Sequence, residues 1–317
     1  MKIVIPDKKT VINKNDVSFE DIEALGRVIS YDVTPYELLA ERIGDADAVL
    51  CNKAMMTREV IEKCPNLKYI GLFATGWNNI DIDAANEHKI VVSNAGEYST
   101  MAVAQHTFAL ISAFCSKIAE YDASVKNGDW ERSDTFSYFL SSTYEMAGQT
   151  LGIIGFGSIG KAVAKIAEAY GMNVIIHTRT VPEKSPYKFV SKEELFKNSD
   201  IITLHCPLNQ GTKGLVNKEM LKLCKDNAII INTSRGPVIA EEDLAEALNN
   251  GIIAGAGIDV IDSEPMRNSP LKNARNCIIT PHIAWAPKQT RERLISIVAQ
   301  NLKGFIQGSP EHMINHF

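Results

Sequence analysis

The sequence predicts an α/β protein built from doubly wound parallel sheets, and two observations carry this prediction. Ten short apolar segments recur along the chain, and segments with a period near 3.6 residues lie between several of them. Strands that are apolar on both faces and alternate with helices are typical of parallel sheets covered by helices on both sides. The chain has 317 residues, which is enough for two domains of ordinary size.

The predicted elements run the length of the chain. Strands are predicted at residues 2–5, 48–51, 69–73, 91–93, 151–154, 173–177, 201–204, 228–232, 257–260 and 277–280. Helices are predicted at residues 37–43, 99–117, 161–170, 218–223, 241–249 and 290–305. The helices at 99–117 and 290–305 are candidates for the two crossings between the domains.

The composition argues against several classes of partner. The formal net charge is −5, and no basic run is present that would bind nucleic acid or an anionic membrane surface. No stretch approaches the roughly 18 apolar residues of a membrane-spanning helix. The six cysteines include no C-x-x-C pair, so we expect reduced thiols in a cytoplasmic protein and predict no metal site. The N-terminus reads as a short apolar strand, not as a signal peptide.

The most specific motif is a glycine-rich turn after the strand predicted at 151–154. Gly155, Gly157 and Gly160 have the G-x-G-x-x-G spacing, and an alanine-rich helix and a second strand follow. The first glycine permits a tight turn, the second allows a pyrophosphate to approach the backbone, and the third allows close helix–strand packing. The motif predicts a dinucleotide site with the phosphates at the helix N-terminus. The alternative is a glycine-rich turn that binds nothing.

Three segments at the ends of later strands carry side chains suited to catalysis. Arg235 follows a buried strand and precedes a glycine, and a guanidinium can bind a carboxylate through two parallel hydrogen bonds. Asp259 ends a strand, Glu264 precedes Pro265 in a turn, and His282 follows a proline near an aromatic residue. Histidine is a suitable general acid because its pKa is near physiological pH. Each of these residues also has a structural interpretation. Arg235 would pair with a local acid, Asp259 and Glu264 would be solvated, and His282 would have a structural role only.

These segments, with others, resemble one enzyme family over nearly the whole chain. The further matches are Leu72-Phe-Ala-Thr-Gly-Trp-Asn-Asn-Ile-Asp81, Ser93-Asn-Ala-Gly-Glu-Tyr-Ser-Thr-Met-Ala-Val-Ala-Gln-His106, Asn127-Gly-Asp-Trp130 and His205-Cys-Pro207. Together with the glycine motif, they resemble the D-isomer-specific 2-hydroxyacid dehydrogenases. Thr280-Pro-His-Ile-Ala-Trp-Ala-Pro287 and Asn52-Lys53 look most like the glycerate dehydrogenase and hydroxypyruvate reductase branch.

The resemblance implies a two-domain architecture and a mechanism. Two Rossmann-like doubly wound domains are expected: a flavodoxin-like substrate domain, residues 1–98 and 287–317, and an inserted NAD(P)-binding domain, residues 99–286. The active site would lie between them. His282 would give a proton to the carbonyl oxygen of a 2-oxo acid, Glu264 would fix the tautomer of His282, and Arg235 would bind the substrate carboxylate. Thr75 and Gly76, with Asn52, would complete the substrate site.

The resemblance also assigns residues to the cofactor. Ser158 and Ile159 would lie at the pyrophosphate, Cys206 and Thr233 would flank the adenosine or ribose side, and Asp259 would bind the nicotinamide carboxamide. Ser234 and His282 would also bind the cofactor. One departure from the usual motif bears on the choice of cofactor. An acid about 20 residues after the glycines usually binds the ribose of NAD, but Thr178 and Arg179 stand here. NADP(H) is therefore favoured over NAD(H); alternatively, Arg179 points to solvent and NAD is used.

The functional prediction is a reductase of small 2-oxo acids, with hydroxypyruvate or glyoxylate as substrate. Family members are commonly homodimers formed through the nucleotide domain, and the apolar segment 103–114 fits an interface or a core equally well. The alternative function is a nucleotide-sensing, corepressor-like binding protein of the same fold.

Overall fold

The computed structural model describes residues 1–14 and 16–317 and divides into two compact units. Residues 1–99 and 285–317 form the first unit, and residues 100–284 form the second. The predicted boundaries, after residues 98 and 286, differ from these limits by one and two residues. Among the described residues, no helix combines the length and apolar character that crossing a membrane requires.

The strands and helices, numbered in chain order, have the following bounds. The strands are β1 (Lys2–Ile5), β2 (Arg27–Ser30), β3 (Ala48–Cys51), β4 (Tyr69–Leu72), β5 (Val91–Ser93), β6 (Thr150–Ile154), β7 (Asn173–His177), β8 (Lys188–Phe189), β9 (Ile201–Leu204), β10 (Ile229–Asn232), β11 (Gly255–Ile258) and β12 (Cys277–Ile279). The helices are α1 (Glu20–Glu23), α2 (Leu39–Ile43), α3 (Arg58–Glu62), α4 (Ile82–Glu87), α5 (Thr100–Ser116), α6 (Ile118–Lys126), α7 (Ser158–Ala169), α8 (Lys192–Asn198), α9 (Lys218–Leu221), α10 (Glu241–Asn249) and α11 (Lys288–Ile306). Short 3-10 turns lie at Lys8–Thr10, Tyr36–Leu38, Gly236–Val238 and Pro270–Asn273.

The first unit contains a five-stranded parallel sheet in the order β2-β1-β3-β4-β5. Alternate side chains of its strands enter two separate cores. Ile3 and Leu50 pack with α1 and α11 on one face, whereas Val4 and Val49 pack with α2, α3 and α4 on the other. The strand order is that of flavodoxin-like sheets, which confirms the predicted fold class for this unit.

The second unit contains a seven-stranded parallel sheet in the order β12-β11-β10-β9-β6-β7-β8. Helices α5 and α7 cover one face, and α8, α9 and α10 cover the other. The chain leaves β6 in one direction towards β7 and β8, and then returns to β9 on the other side of β6. The strand order therefore reverses between β6 and β9, which is where open α/β sheets bind ligands.

Helix α5 belongs to the core of the second unit. Ala104, Phe108 and Ile111 are buried and pack with side chains of β6, β9 and β10. The sequence alone fits this helix to an interface or to a core, and the structure places these side chains in the core of the second unit.

Candidate active site

The glycine-rich turn has the geometry that a dinucleotide requires. Gly155 follows β6 with a φ of +94°, and a β-carbon there would lie 2.6 Å from the carbonyl oxygen of His205. A β-carbon on Gly160 would lie 2.2 Å from the carbonyl oxygen of Gly155, so the helix packs closely on the turn. At Gly157 nothing lies within 4 Å of such an atom, and no side chain caps α7 there. The open space at a helix N-terminus fits a pyrophosphate.

The segment after β9 adjoins this turn. The amide of His205 donates to the carbonyl of Ile154 at 2.7 Å, which continues the pairing of β9 with β6. Both ring nitrogens of His205 are buried and have no hydrogen-bond partner among the described residues. Burial lowers the pKa of His205 to about 3, so its imidazole is neutral. Burial also raises the pKa of the Cys206 thiol to about 11, so this thiol is not a nucleophile at neutral pH.

The residues at the end of β7 are accessible. Thr178 is half-buried and Arg179 is exposed. Within residues 1–14 and 16–317, Arg179 forms no ion pair and no hydrogen bond, so its guanidinium is available to a ligand or to solvent.

The turn after β10 is organised by Asn232. Its side chain accepts hydrogen bonds from the amide of Ser234 at 3.0 Å and from the Ser234 hydroxyl at 2.8 Å, and donates to the carbonyl of Arg235 at 2.9 Å. The hydroxyl of Thr233 lies 3.1 Å from that of Thr107 on α5. The Arg235 side chain is half-buried and donates to the carbonyl of Ser234 at 2.7 Å.

Arg235 has no acidic partner in the described part of the chain. The structural alternative for this residue, pairing with a local acid, is therefore not observed. A half-buried guanidinium without a counterion is suited to binding an anionic ligand such as a carboxylate.

Glu264 and His282 form a direct pair. Glu264 Oε2 lies 2.6 Å from His282 Nδ1, and Glu264 Oε1 accepts a longer hydrogen bond of 3.4 Å from the amide of Ile261. His282 has a φ of +55°, which is uncommon for a residue other than glycine and marks a constrained position. Because Nδ1 faces the carboxylate, Nε2 is the nitrogen that remains for a substrate.

Asp259 holds the segment around His282. Its side chain is 1% exposed, and His282 donates its amide to the Asp259 carbonyl at 2.7 Å. The carboxylate accepts bonds from the Thr280 hydroxyl at 2.6 Å, the Ile283 amide at 2.9 Å and the Ala284 amide at 2.9 Å. His106, which sequence analysis did not select, adds a contact from its Nε2 to the Thr280 hydroxyl at 3.0 Å.

The remaining predicted substrate residues belong to the first unit. Thr75 is exposed and Gly76 half-buried in the loop after β4, where Asn94 donates from its side chain to the Thr75 carbonyl at 2.7 Å. Asn52, after β3, is buried, and its side chain donates to the Thr10 hydroxyl at 3.1 Å. The structure therefore shows a local hydrogen bond for Asn52, and its predicted contact with substrate stays a prediction.

Comparison with known proteins identifies the family of the chain. Residues 108–284 match the NAD-binding domain of the D-isomer specific 2-hydroxyacid dehydrogenases. The chain is 44% identical to a hydroxypyruvate reductase of Blautia hydrogenotrophica, over 99% of this chain and 100% of the relative. It is 39% identical to a glyoxylate reductase of Thermococcus litoralis, over 89% and 87% of the two chains.

A solved structure extends the match to the fold. It is an NADPH-dependent glyoxylate/hydroxypyruvate reductase of Sinorhizobium meliloti in complex with NADP and malonate, with a TM-score of 0.86, 26% identity, and coverage of 99% of this chain and 96% of the other. These relatives are enzymes and give no support to the corepressor-like alternative. The chain therefore belongs to the D-isomer-specific 2-hydroxyacid dehydrogenase family and is an oxidoreductase that acts on a CH–OH group.

Proposed function

We propose that this protein reduces a small 2-oxo acid with a reduced nicotinamide cofactor, converting either hydroxypyruvate to D-glycerate or glyoxylate to glycolate. The observation that carries the proposal is the 2.6 Å contact between Glu264 Oε2 and His282 Nδ1, in a unit with a glycine-rich dinucleotide turn. The names of the relatives, hydroxypyruvate reductase and glyoxylate reductase, support the substrate class.

His282 is proposed as the general acid. When bound, the cofactor supplies the hydride that reduces the keto carbon. His282 gives the proton on Nε2 to the carbonyl oxygen, while Glu264 accepts the hydrogen bond from Nδ1–H and so keeps the ring oriented. The same ring accepts the proton from the hydroxyl group in the reverse direction.

Arg235 is proposed to bind the substrate carboxylate and to polarise the carbonyl group. Its guanidinium has no acidic partner in the described residues, so no internal ion pair has to break when an anion binds. We propose that main-chain amides at Thr75 and Gly76, in the loop after β4, also bind the carboxylate, and that Asn52 contributes to the same site.

The proposed cofactor contacts follow the carboxyl edge of the second sheet. The pyrophosphate is assigned to the turn at Gly155–Gly160, with Ser158 and Ile159, and the adenosine and ribose side to Cys206, Thr233 and Ser234. Asp259 is assigned to the nicotinamide carboxamide. The Thr280 hydroxyl and the amides of Ile283 and Ala284 already donate to the Asp259 carboxylate. His106 Nε2 lies 3.5 Å from its Oδ1.

NADPH is the proposed cofactor because Thr178 and Arg179 stand after β7, at the position where NAD enzymes usually carry an acid. An acid there would repel the 2′-phosphate of NADPH, whereas the exposed Arg179 guanidinium can pair with it. Substituting Arg179→Gln is expected to weaken NADPH binding at least about tenfold and to leave NADH binding unchanged, since a hydrogen bond to a charged group contributes about 1.5–3 kcal/mol. Dissociation constants from nucleotide fluorescence would test this, with Lys184→Gln as a control at a nearby exposed cation. A wild-type preference for NADH would contradict the assignment.

We also propose a homodimer formed through the second unit. Phe136 and Phe139 are 90% and 87% exposed, and burying each phenyl ring would contribute about 1.5–3 kcal/mol. The double substitution Phe136→Ser, Phe139→Ser is expected to weaken self-association at least about 100-fold. Sedimentation velocity would measure this, with Phe317→Ser as the control for an exposed phenylalanine elsewhere. A monomeric wild type, or a double variant that stays dimeric, would refute the proposal.

A cytoplasmic location is proposed from the cysteines, because all six are free thiols.

The proposed activity itself is tested in the direction of oxidation. D-Glycerate is expected to reduce NADP⁺, whereas L-glycerate is expected to be inert at equal concentration. Equal rates with the two enantiomers, or oxidation of L-glycerate alone, would disprove the assignment of a D-2-hydroxy acid.

A further inference from the structure

Glu241 is a buried acid outside the proposed catalytic set. It begins α10, and 8% of the residue is exposed. Its Oε1 accepts a hydrogen bond from the amide of Asp262 at 2.6 Å, and its Oε2 accepts one from the hydroxyl of Ser269 at 2.6 Å. The N-terminus of α10 also favours a negative charge at this position. Both carboxylate oxygens therefore bind one stretch of chain.

The stretch that Glu241 binds is the loop that carries Glu264. Asp262 and Ser269 stand at the two ends of this loop, and every residue from 262 to 268 is exposed. An exposed loop with little buried surface depends on the few contacts at its ends for order. Glu241 supplies one such contact at each end.

The peptide at one end of the loop connects the catalytic side chains. The amide of Ile261 donates to Glu264, and the next amide, that of Asp262, donates to Glu241. The turn after Arg235 rests on the same peptide, because a β-carbon on Gly236 would lie 1.9 Å from the carbonyl carbon of Ile261. Displacement of this peptide would therefore affect both the Glu264 carboxylate and the turn that follows Arg235.

We propose that Glu241 is a positioning residue for the reaction: it fixes the loop 262–269 and thereby holds Glu264 at hydrogen-bond distance from His282. This inference rests on the proposed function. Glu241 acts through its two hydrogen bonds and not through its charge, since its partners are a neutral amide and a neutral hydroxyl. A glutamine can make both bonds, because its oxygen accepts from Asp262 and its amide group donates to the Ser269 oxygen.

The variants therefore have distinct expected effects. Glu241→Ala is expected to lower kcat roughly 10- to 100-fold, since a displacement of about 1 Å at a catalytic group has effects of this size. Glu241→Gln is expected to stay within about threefold of wild type, because it keeps both bonds. Glu242→Ala is the matched control, since Glu242 is exposed in the same turn of α10. Cofactor dissociation constants are expected to be unchanged in all three.

A double-mutant cycle tests whether Glu241 acts through Glu264. Glu264→Gln alone is expected to lower kcat, and adding Glu241→Ala to it is expected to have less than about a threefold further effect, because residues that act through one another are not additive. If Glu241→Ala folds poorly, Ser269→Ala removes one of the two bonds and is expected to give an intermediate loss. Full additivity, or a loss in Glu242→Ala equal to that in Glu241→Ala, would overturn the proposal.

Proton NMR of the cofactor-free protein gives a readout that does not depend on turnover. The proton between His282 Nδ1 and Glu264 is expected downfield in wild type, Glu241→Gln and Glu242→Ala, and absent in Glu241→Ala and Glu264→Gln. Persistence of this signal in Glu241→Ala would overturn the positioning role. A wild-type protein without turnover would refute the proposed function, while the NMR signal would still decide whether Glu241 positions Glu264.

Discussion

Replacing His282 with alanine is expected to lower kcat roughly 10³-fold or more, because a positioned general acid contributes about 10²–10⁴-fold. The methyl group of alanine cannot supply the proton that the developing alkoxide needs, and Glu264 loses its partner at 2.6 Å. The dissociation constant of the cofactor is expected to stay within a few-fold of wild type, because the glycine-rich turn lies at a different strand end. Steady-state rates and a fluorescence titration measure the two quantities.

His88→Ala is the control for this experiment, since His88 is an exposed residue at the end of α4 in the first unit. Its kcat is expected to equal that of wild type. Undiminished turnover in His282→Ala would remove His282 from the mechanism. A parallel loss of cofactor binding would instead indicate that the substitution disturbs the fold around the loop held by Asp259.

Substituting Arg235→Gln is expected to lower kcat/KM roughly 10³-fold, with contributions from both kcat and KM. Loss of one preorganised donor to a developing oxyanion costs about 10²–10³ in kcat, and loss of the carboxylate contact raises KM in addition. Arg235→Lys keeps the charge but not the two parallel donors, so its kcat/KM is expected to lie closer to that of the glutamine variant than to wild type.

An exposed arginine in the same unit and outside the loop 262–269, Arg275, provides the matched control. Arg275→Gln is expected to have wild-type kinetics, because the residue is not assigned to substrate. The proposed role of Arg235 would be contradicted by a lysine variant with full activity, which would show that charge alone suffices. It would also be contradicted by a glutamine variant that changes KM and leaves kcat intact, since Arg235 would then bind without polarising the carbonyl.

The buried strands were predictable because burial on both faces leaves an apolar signature in the sequence. β3 and β9 were predicted with their observed bounds. β2 and β8 were missed for the converse reason. Each lies at one edge of its sheet, and the four residues of β2, Arg27–Ser30, are all exposed or half-buried. β2 has two apolar residues and β8 is only two residues long, so periodicity does not distinguish either strand from a loop.

β11 shows a different limit. The predicted strand, 257–260, starts two residues later than the observed Gly255–Ile258. Glycine has a low strand propensity, so the sequence did not predict a strand at Gly255. In the structure, Phe114 of α5 packs against Gly255, and Leu110 packs against Gly257. A β-carbon at Gly255 would lie 2.6 Å from the Phe114 ring. Glycine is needed at these positions because side chains of α5 fill the space that a β-carbon would occupy, and local propensity does not contain this tertiary requirement.

The individual side chains of the candidate site could be selected from the sequence, but the hydrogen bonds that surround them could not. Arg235, Glu264 and His282 each follow a strand, so topology alone places them at one edge of the sheet, and family resemblance supplied their roles. Asn232, His106 and Glu241 act through hydrogen bonds to main chain or to other side chains. Such partners depend on the folded path of a loop, and no spacing in the sequence indicates them.

The most direct test of the central claim is the initial rate of cofactor oxidation with hydroxypyruvate, glyoxylate, pyruvate and phenylpyruvate, each with NADPH and with NADH. We expect the fastest turnover with hydroxypyruvate or glyoxylate, at about 1 s⁻¹ or above as for a typical enzyme, and with NADPH as the better cofactor. Tight cofactor binding without turnover of any of the four acids would contradict it, and fast turnover of phenylpyruvate alone would reject the proposed substrate class.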